Sequence, residues 1–229
     1  MGRLAVILGS GAAGPGGAEI AAAAERHAVV LQRHGPADAY VLPHRIDHVA
    51  NLRSLAEAGC DRVLAICSVG SLDTGLAVGS FVCPHDFIAL QVTVTSFDDP
   101  RGHALPGFDP AWRDEVLAAW EAAETGSLRD GGVYWQTNGP RFETPAEIGL
   151  LAAHADLVGM TLASECIVAG ELGLPYAAVC VVDNLANGIE AQPLSPAELE
   201  GHRERNASRL RDDLAASLPT LAGRAGKRL

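Results

Sequence analysis

Apolar runs of strand length alternate with longer stretches of helical periodicity, and this alternation limits the fold more than any other feature. The strand-like runs fall at residues 4–8, 28–32, 62–67, 81–94, 132–136, 157–160 and 177–182. The helical patterns fall at residues 46–58, 110–123, 145–153, 164–172 and 196–216. The strand runs are apolar throughout, so both faces of each strand must be covered. Strands separated by helices pair in parallel, because parallel neighbours need a crossover. The predicted fold is therefore α/β: one domain over residues 1–229, with a central mixed, mostly parallel twisted sheet flanked by helices. The least regular stretch, residues 96–108, is rich in Asp, Gly and Pro and reads as a long loop.

Charge and cysteine usage narrow the function. The formal net charge is -11, and no basic run precedes the short tail Arg224-Ala225-Gly226-Lys227-Arg228. That argues against nucleic-acid binding, which needs a clustered basic face. A few Arg and backbone N–H groups can still hold one small anion. Cys60, Cys67, Cys83, Cys166 and Cys180 are odd in number and form no CxxC pair. They read as buried free thiols of a reducing cytoplasm. The opening run Leu4-Ala5-Val6-Ile7-Leu8 is too short for a signal segment, and no apolar run reaches membrane-spanning length. The expected location is cytoplasmic, with no membrane partner.

The stretch from Gly132 to Glu147 carries the most local information. An apolar strand leads to a Gly139-Pro140 turn, then to Phe142 beside Glu143, then to Thr144-Pro145-Ala146-Glu147. The last four residues have capping-box spacing with Pro at the first helical position. Phe142 and Glu143 thus sit in a strand-to-helix connection, where α/β proteins build ligand sites. A flat ring beside an acceptor suits a heterocyclic base; the same pair also fits an ordinary loop with a surface Glu. The last helix repeats the start signal as Ser195-Pro196-Ala197-Glu198, and Leu199, His202, Leu210 and Leu214 are compatible with one buried stripe.

Short loops with donors follow other strands: Gly9-Ser10-Gly11, Arg33-His34-Gly35, Ser68-Val69-Gly70-Ser71 and Gly159-Met160-Thr161. Small residues expose backbone N–H groups, Ser10 and Thr161 add hydroxyls, and Arg33 offers a planar fork to an oxyanion. Each loop alone also fits a plain turn, a solvated basic pair, or a core Met with a capping Thr. Together, at the carboxyl ends of strands, they point to one anion pocket. No GxSxG elbow and no HExxH frame occurs, so a catalytic Ser triad and a zinc site are not expected.

With these loops in place, the chain resembles the trimeric purine nucleoside phosphorylase family, which includes the 5'-methylthioadenosine and 5'-methylthioinosine phosphorylases. The resemblance runs from Leu4 to the last helix. It is carried by Pro43-His44-Arg45-Ile46-Asp47-His48-Val49-Ala50-Asn51-Leu52, Val69-Gly70-Ser71-Leu72, Gly139-Pro140-Arg141-Phe142-Glu143-Thr144, Val158-Gly159-Met160-Thr161 with Glu165, and Val182-Asp183-Asn184-Leu185-Ala186-Asn187-Gly188. It implies a nucleoside phosphorylase-like domain that cleaves a purine nucleoside with inorganic phosphate as co-substrate and no cofactor or metal. Ser10, Arg33, His34 and Thr161 would hold the phosphate, helped by the Ser68 backbone. Met160 would lie against the ribose and Phe142 on the base. Glu143 would accept from N1–H, and Asn184 would bond N7 and O6. Catalytic roles would then fall to Asn184, Glu143 and His34. The resemblance further implies a homotrimer or dimer of trimers in purine salvage, with His103 reaching a neighbouring subunit.

Residue types favour a 6-oxopurine. Glu143 and Asn184 complement an N1–H donor and an O6 acceptor, whereas a 6-aminopurine would turn a lone pair toward Glu143. In adenosine-type members these positions resemble Ser and Asp. A one-residue shift at the strand end would present Asp183 in place of Asn184. At the 5' end, Pro196 matches the position where members acting on ordinary nucleosides often carry a His, and an apolar residue there resembles the methylthio-specific members. His202 would serve only with a slipped alignment. The segment between Gly11 and Arg33 is shorter than in typical members, which implies a missing hairpin or loop. Pro36-Ala37-Asp38-Ala39-Tyr40 replaces a stretch that often carries another His, and Ala163-Ser164 replaces a common Val-Pro. A water-using nucleosidase and a non-catalytic purine-binding module are the competing readings.

Overall fold

A computed structural model describes residues 2–10, 16–190 and 196–223. Gly11, Ser195 and the basic tail lie outside the described residues, as does the side chain of Pro196. The elements run β1 (Arg3–Leu8), α1 (Gly17–Glu25), β2 (Val29–Gln32), α2 (His48–Glu57), β3 (Cys60–Ser71), β4 (Phe81–Cys83), β5 (Asp86–Ile88), α3 (Pro110–Ala123), β6 (Leu128–Asp130), β7 (Val133–Gln136), α4 (Pro145–Leu151), β8 (Leu157–Gly159), α5 (Leu162–Glu171), β9 (Tyr176–Leu185) and α6 (Pro196–Gly223).

One sheet takes the order β5-β7-β8-β3-β9-β4-β6, with β1 joined to β3 and β2 to β1. Most pairs are parallel; β3 with β8 and β4 with β9 are antiparallel. The mixed, mostly parallel α/β sheet is as the sequence predicts. Its cause is visible along β3 and β9. Val63, Ala65, Cys67, Ala178, Cys180 and Val182 pack on one face with α2 and α5. Leu64, Ile66, Ala177, Val179 and Val181 pack on the other with α1, α3 and α6. Both faces are buried, which is why residues 63–67 of β3 and 177–182 of β9 are apolar at every position rather than at alternate ones. All five cysteines are free and buried. No described helix is long and apolar enough to cross a membrane.

Several boundaries differ from expectation. The predicted strand over residues 81–94 is two short strands: Phe81–Cys83 pairs with β9 and β6, while Asp86–Ile88 pairs with β7 on the far side of the sheet. Pro84 sits between them and cannot donate to a ladder, so the chain leaves one edge and joins another there. The segment after Gly11 holds the Ala-rich helix α1, whose weak amphipathic pattern gave no sequence signal. Strand β6 was also not foreseen; it is three residues long at a sheet edge. The loop at residues 96–108 contains a 3-10 turn at Pro100–His103. It is tied down where Glu171 accepts from Thr95 Oγ1 at 2.7 Å and from Ser96 N at 2.5 Å, and where Arg53 donates to Ser96 O at 2.8 Å. The capping box at Thr144 and Glu147 is present as predicted and starts α4 directly after Phe142 and Glu143.

Candidate active site

The carboxyl ends of β1, β2, β3 and β9 meet the loops that follow β7 and β8. Arg33 leaves β2 with its N–H bonded to Leu8 O at 3.1 Å, so the parallel ladder sets its direction. Its side chain is buried. Nη1 donates to Thr161 Oγ1 at 2.9 Å, and Nε lies 2.8 Å from Glu165 Oε1 as an ion-pair contact rather than an aligned hydrogen bond. Nη2 is buried and has no hydrogen-bond partner among the described residues. Glu165 in turn accepts from the Tyr176 hydroxyl at 2.6 Å. Burial is the largest influence on Arg33 and opposes its charge, yet Glu165, with Cys67, Tyr176 and Tyr134, outweighs it and holds the guanidinium above its ordinary pKa. Burial raises Glu165 above the usual carboxylate range, and Arg33 and Tyr176 restrain that rise. The arrangement is a fixed fork with one open donor edge.

The neighbouring loops surround this fork. Gly9 passes so close that a Cβ there would sit 3.2 Å from Arg33 Nη1 and 2.9 Å from Ile66 O. Only Gly lets the turn carrying Ser10 cover the guanidinium. His34 is buried, stacked on Tyr40 at 4.7 Å, with Nδ1 2.8 Å from Val41 O. A carbonyl only accepts, so Nδ1 carries the hydrogen and Nε2 is the free acceptor of the neutral ring. Burial first, then Arg33, lowers the His34 pKa and keeps the ring neutral near pH 7. Thr161 is buried at the start of α5, where the Tyr134 hydroxyl accepts from its N–H at 3.2 Å. Cys67 Sγ lies 3.7 Å from Thr161 Oγ1. Met160 packs its sulfur onto Gly139, where a Cβ would come within 2.5 Å of Sδ.

A second polar set adjoins the first through the backbone. Thr137 N donates to Gly159 O at 2.9 Å, and Thr137 Oγ1 donates to Glu143 Oε1 at 2.5 Å. Glu143 is buried, and its backbone O accepts from Asn187 Nδ2 at 3.2 Å. Phe142 beside it is 65% exposed, an open ring at the rim. Asn184 pairs with Gly70 at the end of β9 and donates from Nδ2 to Leu185 O at 2.8 Å. Asp183, one residue earlier, sends its carboxylate to Ser68 Oγ and to Asn206 of α6. The structure thus joins Arg33, Thr161, His34 and the Ser10 turn, and leads from them through Gly159 and Thr137 to Glu143. His103 lies apart, exposed in its 3-10 turn.

Sequence reasoning assigned no role to Glu165, Tyr134, Tyr176, Cys67 or His48, all of which pack around the fork. The available signal was Glu165 itself, the one carboxylate in the otherwise apolar interior of α5. His48 is also buried, 3.9 Å from Glu165 Oε1. Burial, then the positive Arg33 and the nearby His34, push its pKa down to about 4 against a smaller opposing pull from Asp47. A lowered folded-state value means the unfolded chain takes up the proton first as pH falls. We expect stability to decline from about pH 6.5 to about pH 4 by roughly 3 kcal/mol for this group. His48→Phe should flatten that part of a melting-temperature profile against pH; an unchanged slope would remove His48 as its source.

Comparison with known proteins identifies the family. Residues 10–218 match the model of the phosphorylase superfamily. A protein of Archaeoglobus fulgidus named "Probable 6-oxopurine nucleoside phosphorylase" is 40% identical over 178 residues, covering 78% of this chain and 73% of that one. A protein of Methanothermobacter thermautotrophicus named "Probable S-methyl-5'-thioinosine phosphorylase" is 34% identical over 198 residues, covering 86% and 69%. Among solved structures, a variant of the adenosine/methylthioadenosine phosphorylase from Schistosoma mansoni, in complex with adenine, superposes with a TM-score of 0.80 over 97% of this chain and 93% of that one, at 20% identity. That likeness speaks for the fold. By its sequence match over nearly the whole length and by the sheet it builds, the chain belongs to the phosphorylase superfamily.

Proposed function

We propose that this protein is a purine nucleoside phosphorylase that cleaves the glycosidic bond of 6-oxopurine nucleosides, with inorganic phosphate as the attacking group. The carrying observation is the buried Arg33 fork, fixed by Glu165 and Thr161, with the Nη2 edge unpartnered. A water-using nucleosidase has no need of so constrained an oxyanion seat. Arg33, Thr161, Ser10 and the Ser68 backbone donate to the phosphate, and His34 Nε2 accepts from its P–OH group. Met160 faces the ribose, Phe142 covers the base, Glu143 accepts from N1–H, and Asn184 donates to N7 and accepts no proton in the step.

The chemistry balances with these groups. A phosphate oxygen forms the bond to C1' as the C1'–N9 bond breaks and its electrons pass to the purine. The proton carried by HPO4²⁻ ends on the departing base, leaving free purine and ribose 1-phosphate. The phosphate charge stabilises the oxocarbenium-like sugar while Asn184 stabilises the leaving group. One such donor contributes about 3 kcal/mol, and holding phosphate against C1' supplies much of the remainder.

Thr137 supports the assignment of Glu143, because its hydroxyl fixes Oε1 and leaves Oε2 for the base. Asn184→Asp should shift preference from inosine toward adenosine, measured as the ratio of their kcat/KM values; an unmoved ratio removes Asn184 from the base site. Relatives named for 6-oxopurine nucleosides and for S-methyl-5'-thioinosine both match. Both names carry a 6-oxopurine, so a panel of inosine, guanosine, adenosine and their 5'-methylthio forms assigns the 5' group. We also place the protein in the cytoplasm as a homotrimer or dimer of trimers, with His103 at the subunit boundary; light scattering tests the assembly. The function itself is tested by hypoxanthine release from inosine with and without phosphate. A phosphate-dependent rate with equal yields of hypoxanthine and ribose 1-phosphate is expected, and equal rates without phosphate reject the proposal.

A further inference from the structure

Alternate residues of β9 that face α6 are Ala177, Val179 and Val181, all apolar, and then Asp183. A carboxylate at the end of an apolar row breaks the local pattern, and such breaks are typical of functional positions. Asp183 is 2% exposed. Burying a carboxylate is costly unless its lone pairs are satisfied. Here they are met by partners from two other elements. Ser68 Oγ of β3 donates to Oδ2, and Asn206 Nδ2 of α6 donates to Oδ1 at 2.7 Å. Arg203 Nε of α6 lies 3.9 Å from Oδ2. The backbone carbonyl of Asp183 is held as well, by His202 Nδ1 at 3.2 Å. Three side chains of α6 therefore converge on one residue.

The backbone at this point is irregular. Val69 pairs with Val182 and Gly70 with Asn184, so Asp183 is an extra residue in the β3–β9 ladder. Such a bulge redirects the next side chain and needs fixing from outside the ladder. The fixing comes from α6 and Ser68. Asn184, the residue assigned to N7 and O6, follows immediately, and its amide lies over Gly70.

Resting on the proposed function, we infer that Asp183 is a positioning residue for the nucleoside: it pins the bulge to α6 and so sets where Asn184 presents its amide to the base. It reads the base only through its neighbour, and this replaces the alternative in which Asp183 itself meets an amino group. The side-chain part of the phosphate seat, Arg33 with Thr161 and Glu165, is bonded without Asp183, which meets the seat at the Ser68 hydroxyl and not at its backbone.

The test is steady-state kinetics of the full-length protein with inosine and phosphate varied separately. Asp183→Ala should lower kcat/KM for inosine about 10- to 100-fold, the scale of a small misplacement near the reacting centre. The KM for phosphate should stay near its wild-type value. Asp183→Asn should recover most of the loss, because its carbonyl oxygen still accepts from Asn206 and its amide can donate to Ser68 Oγ. Asn206→Ala should reproduce the inosine-side loss, and it carries the test if Asp183→Ala does not fold. Equal losses for inosine and phosphate, no loss, or an Asp183→Asn variant as impaired as Asp183→Ala would each overturn the inference. A wild-type protein that binds hypoxanthine but turns over no nucleoside overturns the proposed function instead. The hypoxanthine affinities of the same variants then decide the role of Asp183.

Discussion

Arg33→Ala is expected to lower kcat/KM for phosphate by about 100- to 1000-fold, the loss seen when one preorganised donor is taken from a reacting oxyanion. It should also destabilise the protein. Glu165 is 1% exposed and, among the described residues, would keep the Tyr176 hydroxyl at 2.6 Å and a distant His48 as side-chain partners. Removing one member of a buried ion pair strands the other charge and costs about 3–5 kcal/mol. Thermal melting and phosphate-saturation kinetics read the two effects separately. Arg33→Lys should restore part of the stability, because the charge returns, but little of the phosphate term. An ammonium cannot contact Glu165, Thr161 and an oxyanion with the planar geometry of a guanidinium. A Lys variant with wild-type phosphate kinetics would show that charge alone is used at this position.

Glu143→Gln should reduce kcat/KM for inosine about 10- to 100-fold, the worth of a hydrogen bond to a charged group. The reason is local. Thr137 Oγ1 donates to Oε1 at 2.5 Å, so one carboxylate oxygen is occupied and the other remains for N1–H. In Gln, keeping that bond turns the amide N–H toward N1–H, donor against donor. Rotating the amide instead leaves a weaker, neutral acceptor. Phosphate KM should change little, since Glu143 connects to the oxyanion seat only through Thr137 and Gly159. Parallel losses on both substrates would dissolve the separation between base side and phosphate side. The His48, Asn184 and Asp183 predictions test neighbouring parts of the same cleft.

Much of this was legible in the chain. The double-sided burial of β3 and β9 is written in their unbroken apolar runs, and the start of α4 in Thr144-Pro145-Ala146-Glu147. The loop residues Arg33, His34 and Thr161 stood out because donors followed apolar strands. What stayed hidden is long-range or weakly patterned. Arg33 and Thr161 are 128 positions apart, and nothing local says that they bond. The run at residues 81–94 hid a switch between two edges of the sheet, because apolar content does not say which neighbour a strand chooses. Helix α1 is mostly Ala, so its buried and exposed faces differ little in hydropathy. Tyr134 and Tyr176 look like ordinary core aromatics until their hydroxyls are traced to Thr161 N and Glu165. The separate partners of Asp183 and Asn184 go with a bulge that only the pairing register reveals.

The most direct measurement is a structure of the protein with phosphate and hypoxanthine bound together. The account predicts a phosphate oxygen at about 3 Å from Arg33 Nη2, with others on Thr161 and His34, and the purine held between Phe142, Glu143 and Asn184. Phosphate bound elsewhere while Arg33 keeps Nη2 unengaged, or a purine that touches neither Glu143 nor Asn184, would contradict it.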